Sequence, residues 1–183
     1  YINRDFWGVP YIKGQTDQDV AYGIGLVHAE DAYDDLVELM PLYRGQNAIY
    51  NGLDSIDTDY LVRLLKVHSK VRSIGKKQLS QNILSMAQAY ADGVNAYANK
   101  HPDKVNPSLH PITQEDVLAG SYIQHLFFAV AFASCKEIFC GKLKIKMRRF
   151  LVKIIPDFFF VAKNLFILQH SRTFILYEIE NKF

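Results

Sequence analysis

The chain has 183 residues and a mass of 21.0 kDa, with 49% apolar and 22% charged residues. Those values suit one folded unit that buries roughly 70% of its unfolded surface, and they exclude a wholly disordered chain. A net charge of +2 argues against nucleic acid as the main partner, and two cysteines, Cys135 and Cys140, exclude a disulfide-rich scaffold and a four-cysteine zinc module.

In chain order, residues 1–12 are rich in Ile, Phe, Trp, Val and Tyr and are punctuated by Gly8 and Pro10, which predicts two short extended pieces around a bend. Thr16 with Asp19 three residues on is a capping box that starts a helix. Val20, Ile24, Val27, Tyr33, Leu36 and Met40 carry helical spacing toward Pro41, which is expected to kink or end that helix, with Gly45 closing the turn. Gly23 and Gly25 fall inside this helix, where each costs about 1 kcal/mol relative to alanine. A pair predicts close backbone approach by another element. A second helix is expected after Asp57, with Leu61, Leu64, Leu65, His68 and Val71 on one side and Gly75 at its end. A third is expected from Ser80 to Lys100, with Ile83, Met86, Tyr90, Val94 and Tyr97 on one face and Pro102 as its stop. Residues 101–111 hold three prolines and read as a loop, and Thr113 with Asp116 is a second capping box that opens a fourth helix. Among these stripe positions, Val20, Ile24, Leu61, Leu65, Ile83 and Tyr90 are expected to be buried. From Val117 to Cys135 no residue is formally charged, but Gly120, Ser121, Gln124, His125 and Ser134 dilute the run, which reads as a buried helix rather than a membrane span.

Composition changes near residues 130–136. Residues 1–135 carry 11 Lys and Arg against 15 Asp and Glu, whereas residues 136–183 carry 10 against 4 and hold 8 of the 12 Phe. Two units are therefore expected, 1–130 and a basic, Phe-, Lys- and Ile-rich tail at 131–183. The tail reads either as an amphipathic helix with a basic face or as sequence foreign to what precedes it, as a frameshift would give. The chain begins at Tyr1 with no signal-peptide pattern, which predicts a start set by processing or truncation.

Hydrolytic chemistry leaves little trace. There is no G-x-S-x-G elbow and no P-loop, and His28-Ala29-Glu30 lacks the P-C-x-x-C partner of a zinc deaminase. His28, Asp31 and Asp35 share one helix face and are candidate metal ligands, although a solvated acidic face is the plainer reading. Glu30, Asp31, Asp34 and Asp35 are candidate paired general acids and bases, although carboxylates on consecutive helix turns more often face water.

Residues 4–12, R-D-F-W-G-V-P-Y-I, and 19–31, D-V-A-Y-G-I-G-L-V-H-A-E-D, together resemble the start of the penicillin acylase family, which includes acyl-homoserine-lactone and aculeacin-type acylases. Echoes follow in order at Arg44-Gly45, Asp59 to Arg63, Y-A-D-G-V-N-A-Y at 90–97 and P-I-T-Q-E-D-V at 111–117. The resemblance covers residues 1 to about 128. Tyr11 stands where the family usually has His, and Ala32 where it usually has Arg.

The resemblance implies an αββα N-terminal-nucleophile hydrolase of linear amides, of which this chain is the α segment, mostly α-helical with a short N-terminal β piece. A Ser at the start of a β segment would attack the acyl carbonyl, its own α-amine serving as base. No residue here matches that catalytic machinery, so the chain alone is expected to be inactive. The glycine-bearing helix is expected to pack on the missing β segment. The acyl pocket would draw on the region of Leu126, Phe127 and Phe128, with Phe127 and Phe128 as substrate-binding candidates and plain core packing as the alternative. No cofactor is required for the chemistry. A structural calcium is a family feature, and Glu137 is the nearest carboxylate for it. Expected partners are the β segment and a small amide substrate, not nucleic acid, in a periplasmic or extracellular enzyme. Two rival readings are a non-catalytic helical binding module and a membrane-peripheral protein that uses the basic tail.

Overall fold

The computed structural model describes the backbone of residues 1–139 and 176–177, and the side chains of residues 1–73 and 77–126. Strand β1 (Ile2–Arg4) pairs antiparallel with β2 (Pro10–Ile12), with Ile2 opposite Ile12 and Arg4 opposite Pro10. The turn between them uses Gly8 at φ 79°, a left-handed conformation that glycine adopts without a Cβ clash. A residue pair, β3 (Leu176–Tyr177), lies parallel to β2.

Thr16 and Asp19 form the expected capping box at the head of α1 (Asp17–Arg44), and Gly45 closes it in the left-handed conformation at φ 65°. The expected kink at Pro41 is absent. Helical backbone runs through the proline, and the break falls instead at Ala32, with φ −153° and ψ 44°. The break lies near the change between two packing duties. Ahead of it, Val20 and Val27 join Ile12 in a small cluster under the sheet while Ala29 already faces the main core, and behind it Tyr33, Leu36, Leu39, Met40 and Tyr43 all enter the main core.

The helix expected after Asp57 is two helices, α3 (Ile56–Leu64) and α4 (Val67–Gln78), preceded by a short α2 (Asn47–Asn51) and a 3-10 turn. Lys66 takes φ 52° and breaks the helix there with a left-handed backbone turn. That break buries Val67 and lets His68 Nε2 donate to the Tyr43 carbonyl at 2.7 Å, which one straight helix would not allow. Helix α4 also continues past Gly75, where its end was expected. Ser80 caps α5 (Gln81–Lys100) as expected, and residues 101–113 form a loop with one 3-10 turn. Thr113 opens α6 (Gln114–Phe139), which continues through residue 130. The rest of the tail, and with it the two readings of its origin, lies outside the described residues.

Among the described elements, helices α1 and α5 make the most extensive contact. Their interface is built from small residues. A Cβ on Gly25 would fall on the backbone carbonyl of Tyr90, and one on Gly93 would fall on the Tyr22 carbonyl and the Leu26 amide. A Cβ on Gly23 would lie 2.6 Å from Ile12 Cγ2 on β2. The two helical glycines therefore do mark close approach, but the partners are α5 and the sheet of this same chain. The expectation that they await a β segment is corrected by these contacts. The expected α5 stripe holds at Val94 and Tyr97, with Tyr90 packed against the core, and fails at Ile83. Ala87, Ala91, Val94, Tyr97 and Ala98 face the core, while Ile83 at 45% exposure lies outside it. Of the other expected core residues, Val20 is buried, and Ile24, Leu61, Leu65 and Tyr90 are half-buried. Ala119 and Ile123 of α6 complete the core.

Candidate functional site

The quoted sequence motifs meet one another in space. Arg4 of the first motif forms ion pairs with Glu30 at 3.0 Å and Asp31 at 2.8 Å in the second. The second meets 90–97 through the Gly25 and Gly93 crossing and through a hydrogen bond between His28 Nδ1 and the Tyr90 hydroxyl. From 90–97, Asn95 exchanges a pair of bonds with the Ile112 backbone, donating at 2.7 Å and accepting at 2.9 Å. From 111–117, Asp116 accepts from Arg44 Nε at 3.0 Å and Nη2 at 2.8 Å. The Gly45 carbonyl in turn accepts from Arg63 Nε at 3.1 Å and Nη2 at 3.0 Å. Each motif is thus a joint of the scaffold.

The Arg44–Asp116 pair is the most enclosed of these joints. The Asp116 side chain is 3% exposed and also accepts from the Thr113 amide and hydroxyl at 2.9 and 2.8 Å. Burial alone would raise the pKa of this carboxyl, but Arg44 and Thr113 outweigh it and hold it below the ordinary carboxylate range. Arg44 Nη2 reaches onward to the Pro111 carbonyl at 3.1 Å. A second enclosed carboxylate, Asp59, accepts from the Asn47 and Ala48 amides at 2.6 and 2.9 Å and so satisfies the first turn of α2. Sequence reading identified Thr113 and Asp116 as a cap but had no signal for an arginine 72 positions away.

His28 sits at the α1–α5 crossing. Its Nε2 is enclosed with no hydrogen-bond partner among the described residues. Desolvation pulls its pKa down to about 4, against the opposing pull of Asp31 and Asp35. The neutral imidazole is therefore the resting form. His28, Asp31 and Asp35 do not act as one ligand set. His28 is held by Tyr90, Asp31 by Arg4, and among the described residues no three such side chains are placed to share a metal ion.

Phe127 and Phe128 belong to the backbone of α6, and their side chains lie outside the described ones, as does that of Glu137. What the structure does fix is the base of that helix. Gly120 lies flat on the Tyr43 ring, where a Cβ would come 2.8 Å from Cε2, and Ile123 is buried one turn before Phe127. A cleft of about 270 Å³ opens on the second half of α1, with Asp34, Glu38 and Lys104 at its rim and Val37 and Leu109 in its wall. The described surface also carries large exposed apolar side chains, among them Phe6 and Trp7 at the strand turn and the series Ile49, Leu53, Ile56, Tyr60 and Leu64. Among the described residues no helix is long and apolar enough to cross a membrane.

Comparison with known proteins agrees with the motif network. The chain is 32% identical over 108 residues to the acyl-homoserine lactone acylase QuiP of Pseudomonas fluorescens, a match covering 59% of this chain and 13% of that protein. It is 32% identical over 96 residues to the penicillin acylase 2 proenzyme of Pseudomonas sp. strain SE83, covering 52% of this chain and 12% of that protein. The matched region thus spans about an eighth of the length of these curated relatives. Among solved structures, a thermostable penicillin G acylase from Alcaligenes faecalis superposes with a TM-score of 0.52 at 16% identity, covering 100% of this chain and 95% of that one, which is a likeness of fold. The sequence profile of the family described as penicillin amidase matches residues 1–139, and the chain belongs to that family.

Proposed function

We propose that this chain is the α segment of an amidohydrolase that cleaves linear amides bearing penicillin- or acyl-homoserine-lactone-type acyl groups, and that the nucleophile is an N-terminal Ser on a separate β segment. The observation that carries the reading is a contrast of lengths. The fold match covers 95% of the solved penicillin G acylase chain, whereas the sequence matches cover 12–13% of the curated acylases. A region that is a small part of one relative thus has the extent of a whole chain in another. The scaffold role of every quoted motif supports the same view, since none of their described side chains is left poised to attack a carbonyl.

In this reading the β segment supplies the chemistry. Its Ser hydroxyl attacks the acyl carbon, its α-amine takes the proton, and its oxyanion donors, each typically worth about 3 kcal/mol, stabilise the tetrahedral intermediate. The α segment supplies apolar wall for the acyl group, and Phe127 and Phe128 are the residues proposed for it. The enzyme would work outside the cytoplasm. No cofactor enters the chemistry, and a structural calcium, which takes roughly six to eight oxygen ligands, belongs to the same proposal only for the full enzyme, with most of its ligands outside this segment.

The test is acid release from penicillin G, a phenylacetyl amide and a long-chain acyl-homoserine lactone. The chain alone should show no turnover. Turnover should arise when it is combined with the β segment of a related acylase. Turnover by the chain alone that disappears on replacing one of its own serines would overturn the reading.

A further inference from the structure

Residues 5–9 form a turn whose backbone is bonded at nearly every position while its two largest side chains stand in water. Asp5 Oδ1 accepts from the Trp7 and Val9 amides, both at 2.8 Å. The Asp5 amide donates to the Val9 carbonyl, and the Gly8 amide to the Asp5 carbonyl, each at 3.0 Å. Arg4 Nη1 donates to the Gly8 carbonyl at 3.0 Å and ties the turn to α1 through Glu30 and Asp31. Yet Phe6 is 93% exposed and Trp7 69%, and the two rings meet edge to face at 5.3 Å. The core of the described chain does not use them.

We propose that this Phe6–Trp7 tip is the anchor by which the segment docks on the remainder of its acylase precursor, both rings entering an apolar pocket there. The inference rests on the α-segment reading above and names the contact that reading lacks. Three features favour this occupant. The curated relatives carry about seven-eighths of their length beyond the matched region, so a large intramolecular surface exists to receive the tip. The tip is held in one shape before binding, which removes most of the ordering cost, and a tryptophan beside a second aromatic ring is the side-chain chemistry of interface hot spots. Its surroundings are not those of a bilayer anchor. Glu30 and Asp31 occupy Arg4 while Asp5 binds the amides of the turn, so among the described residues no cationic surplus faces an anionic membrane there.

Trp7 is the single tryptophan of the chain, so 5-fluorotryptophan gives one fluorine resonance that reports on the tip alone. The labelled 183-residue chain is mixed with the separately produced remainder of the SE83 penicillin acylase 2 proenzyme. Complex formation is read by co-elution and tip burial by the solvent isotope shift of the resonance. Loss of that shift on binding is the expected result. The Phe6→Ser/Trp7→Ser chain should then bind at least about thirtyfold more weakly with an unchanged melting temperature, as for hot-spot anchors, while Leu53→Ser binds normally. A complex in which the resonance keeps its full isotope shift overturns the anchor and leaves the α-segment reading standing. Absence of any complex overturns both. Concentration-dependent protection of the tip in the chain alone assigns it to a second copy and overturns the proposal.

Discussion

Burial of one imidazole makes the fold sensitive to acid. In the folded chain His28 has a pKa near 4, against 6.5 in the open chain, chiefly because burial disfavours the charged ring. Protonation would put an N–H on both nitrogens, and only the Nδ1 side has a partner, the Tyr90 hydroxyl. The unfolded chain therefore binds the proton first as pH falls. The stability tied to neutral His28 is fully present above pH 6.5 and is lost as pH falls toward 4, about 3 kcal/mol in all. Asp116, whose pKa is held below its ordinary 3.8, loses its contribution only at lower pH, so the two windows separate. Urea melts across pH 4 to 6.5 should show a falling midpoint for the native chain and a nearly flat one for His28→Leu. Equal slopes in both would remove His28 as the cause. Nothing in the sequence near His28 announced this state, since the residues that shape it are Tyr90, 62 positions away, and the packing of two helices.

At the scale of elements, what was legible was what depends on neighbours a few residues apart. Both capping boxes, the Gly45 closure, the Ser80 start and the paired extended pieces follow from local hydrogen-bonding chemistry, and the structure contains all of them. What failed depends on tertiary packing. The left-handed turn at Lys66 goes against the conformational preference of lysine and is tolerated because it buries Val67. The Ala32 break lies where no proline or glycine marks it, because it reconciles two packing partners on one helix. The glycines were read correctly as close approach and wrongly as waiting for an absent partner. Gly25→Ala should therefore destabilise the isolated chain by at least about 1–3 kcal/mol, since its Cβ meets backbone that cannot swing away, despite the roughly 1 kcal/mol gain in helix propensity. The same holds for Gly93→Ala. Thermal melting of the 183-residue chain decides it, and a neutral or raised melting temperature would mean that the two helices separate readily.

For the molecule as a whole, the family motifs act as one chain of joints: strand turn to α1, α1 to α5, α5 to the 111–117 loop, that loop to Arg44, and Gly45 to Arg63. This explains why the family was legible in the sequence while the proposed site was not. The motif residues hold element to element by specific ion pairs, hydrogen bonds and a glycine crossing, and this role demands particular residues at fixed spacing. Acyl recognition needs only apolar bulk, and Phe127 and Phe128 carry no pattern that separates a pocket wall from a core. The Arg44–Asp116 joint is the one that tests whether the network behaves as a unit, because it secures the head of α6 to the end of α1 by an enclosed ion pair. Arg44→Met leaves Asp116 buried without its cation and should cost about 3–5 kcal/mol, whereas adding Asp116→Asn removes the stranded charge, keeps an acceptor for Thr113 and should recover part of that loss. Hydrogen exchange shows where the loss is felt. If the network is one unit, Arg44→Met speeds exchange in α5 as well as in residues 114–126. If exchange rises in residues 114–126 alone, α6 is a separately held arm, and any acyl wall it carries is positioned by the partner segment and not by this scaffold.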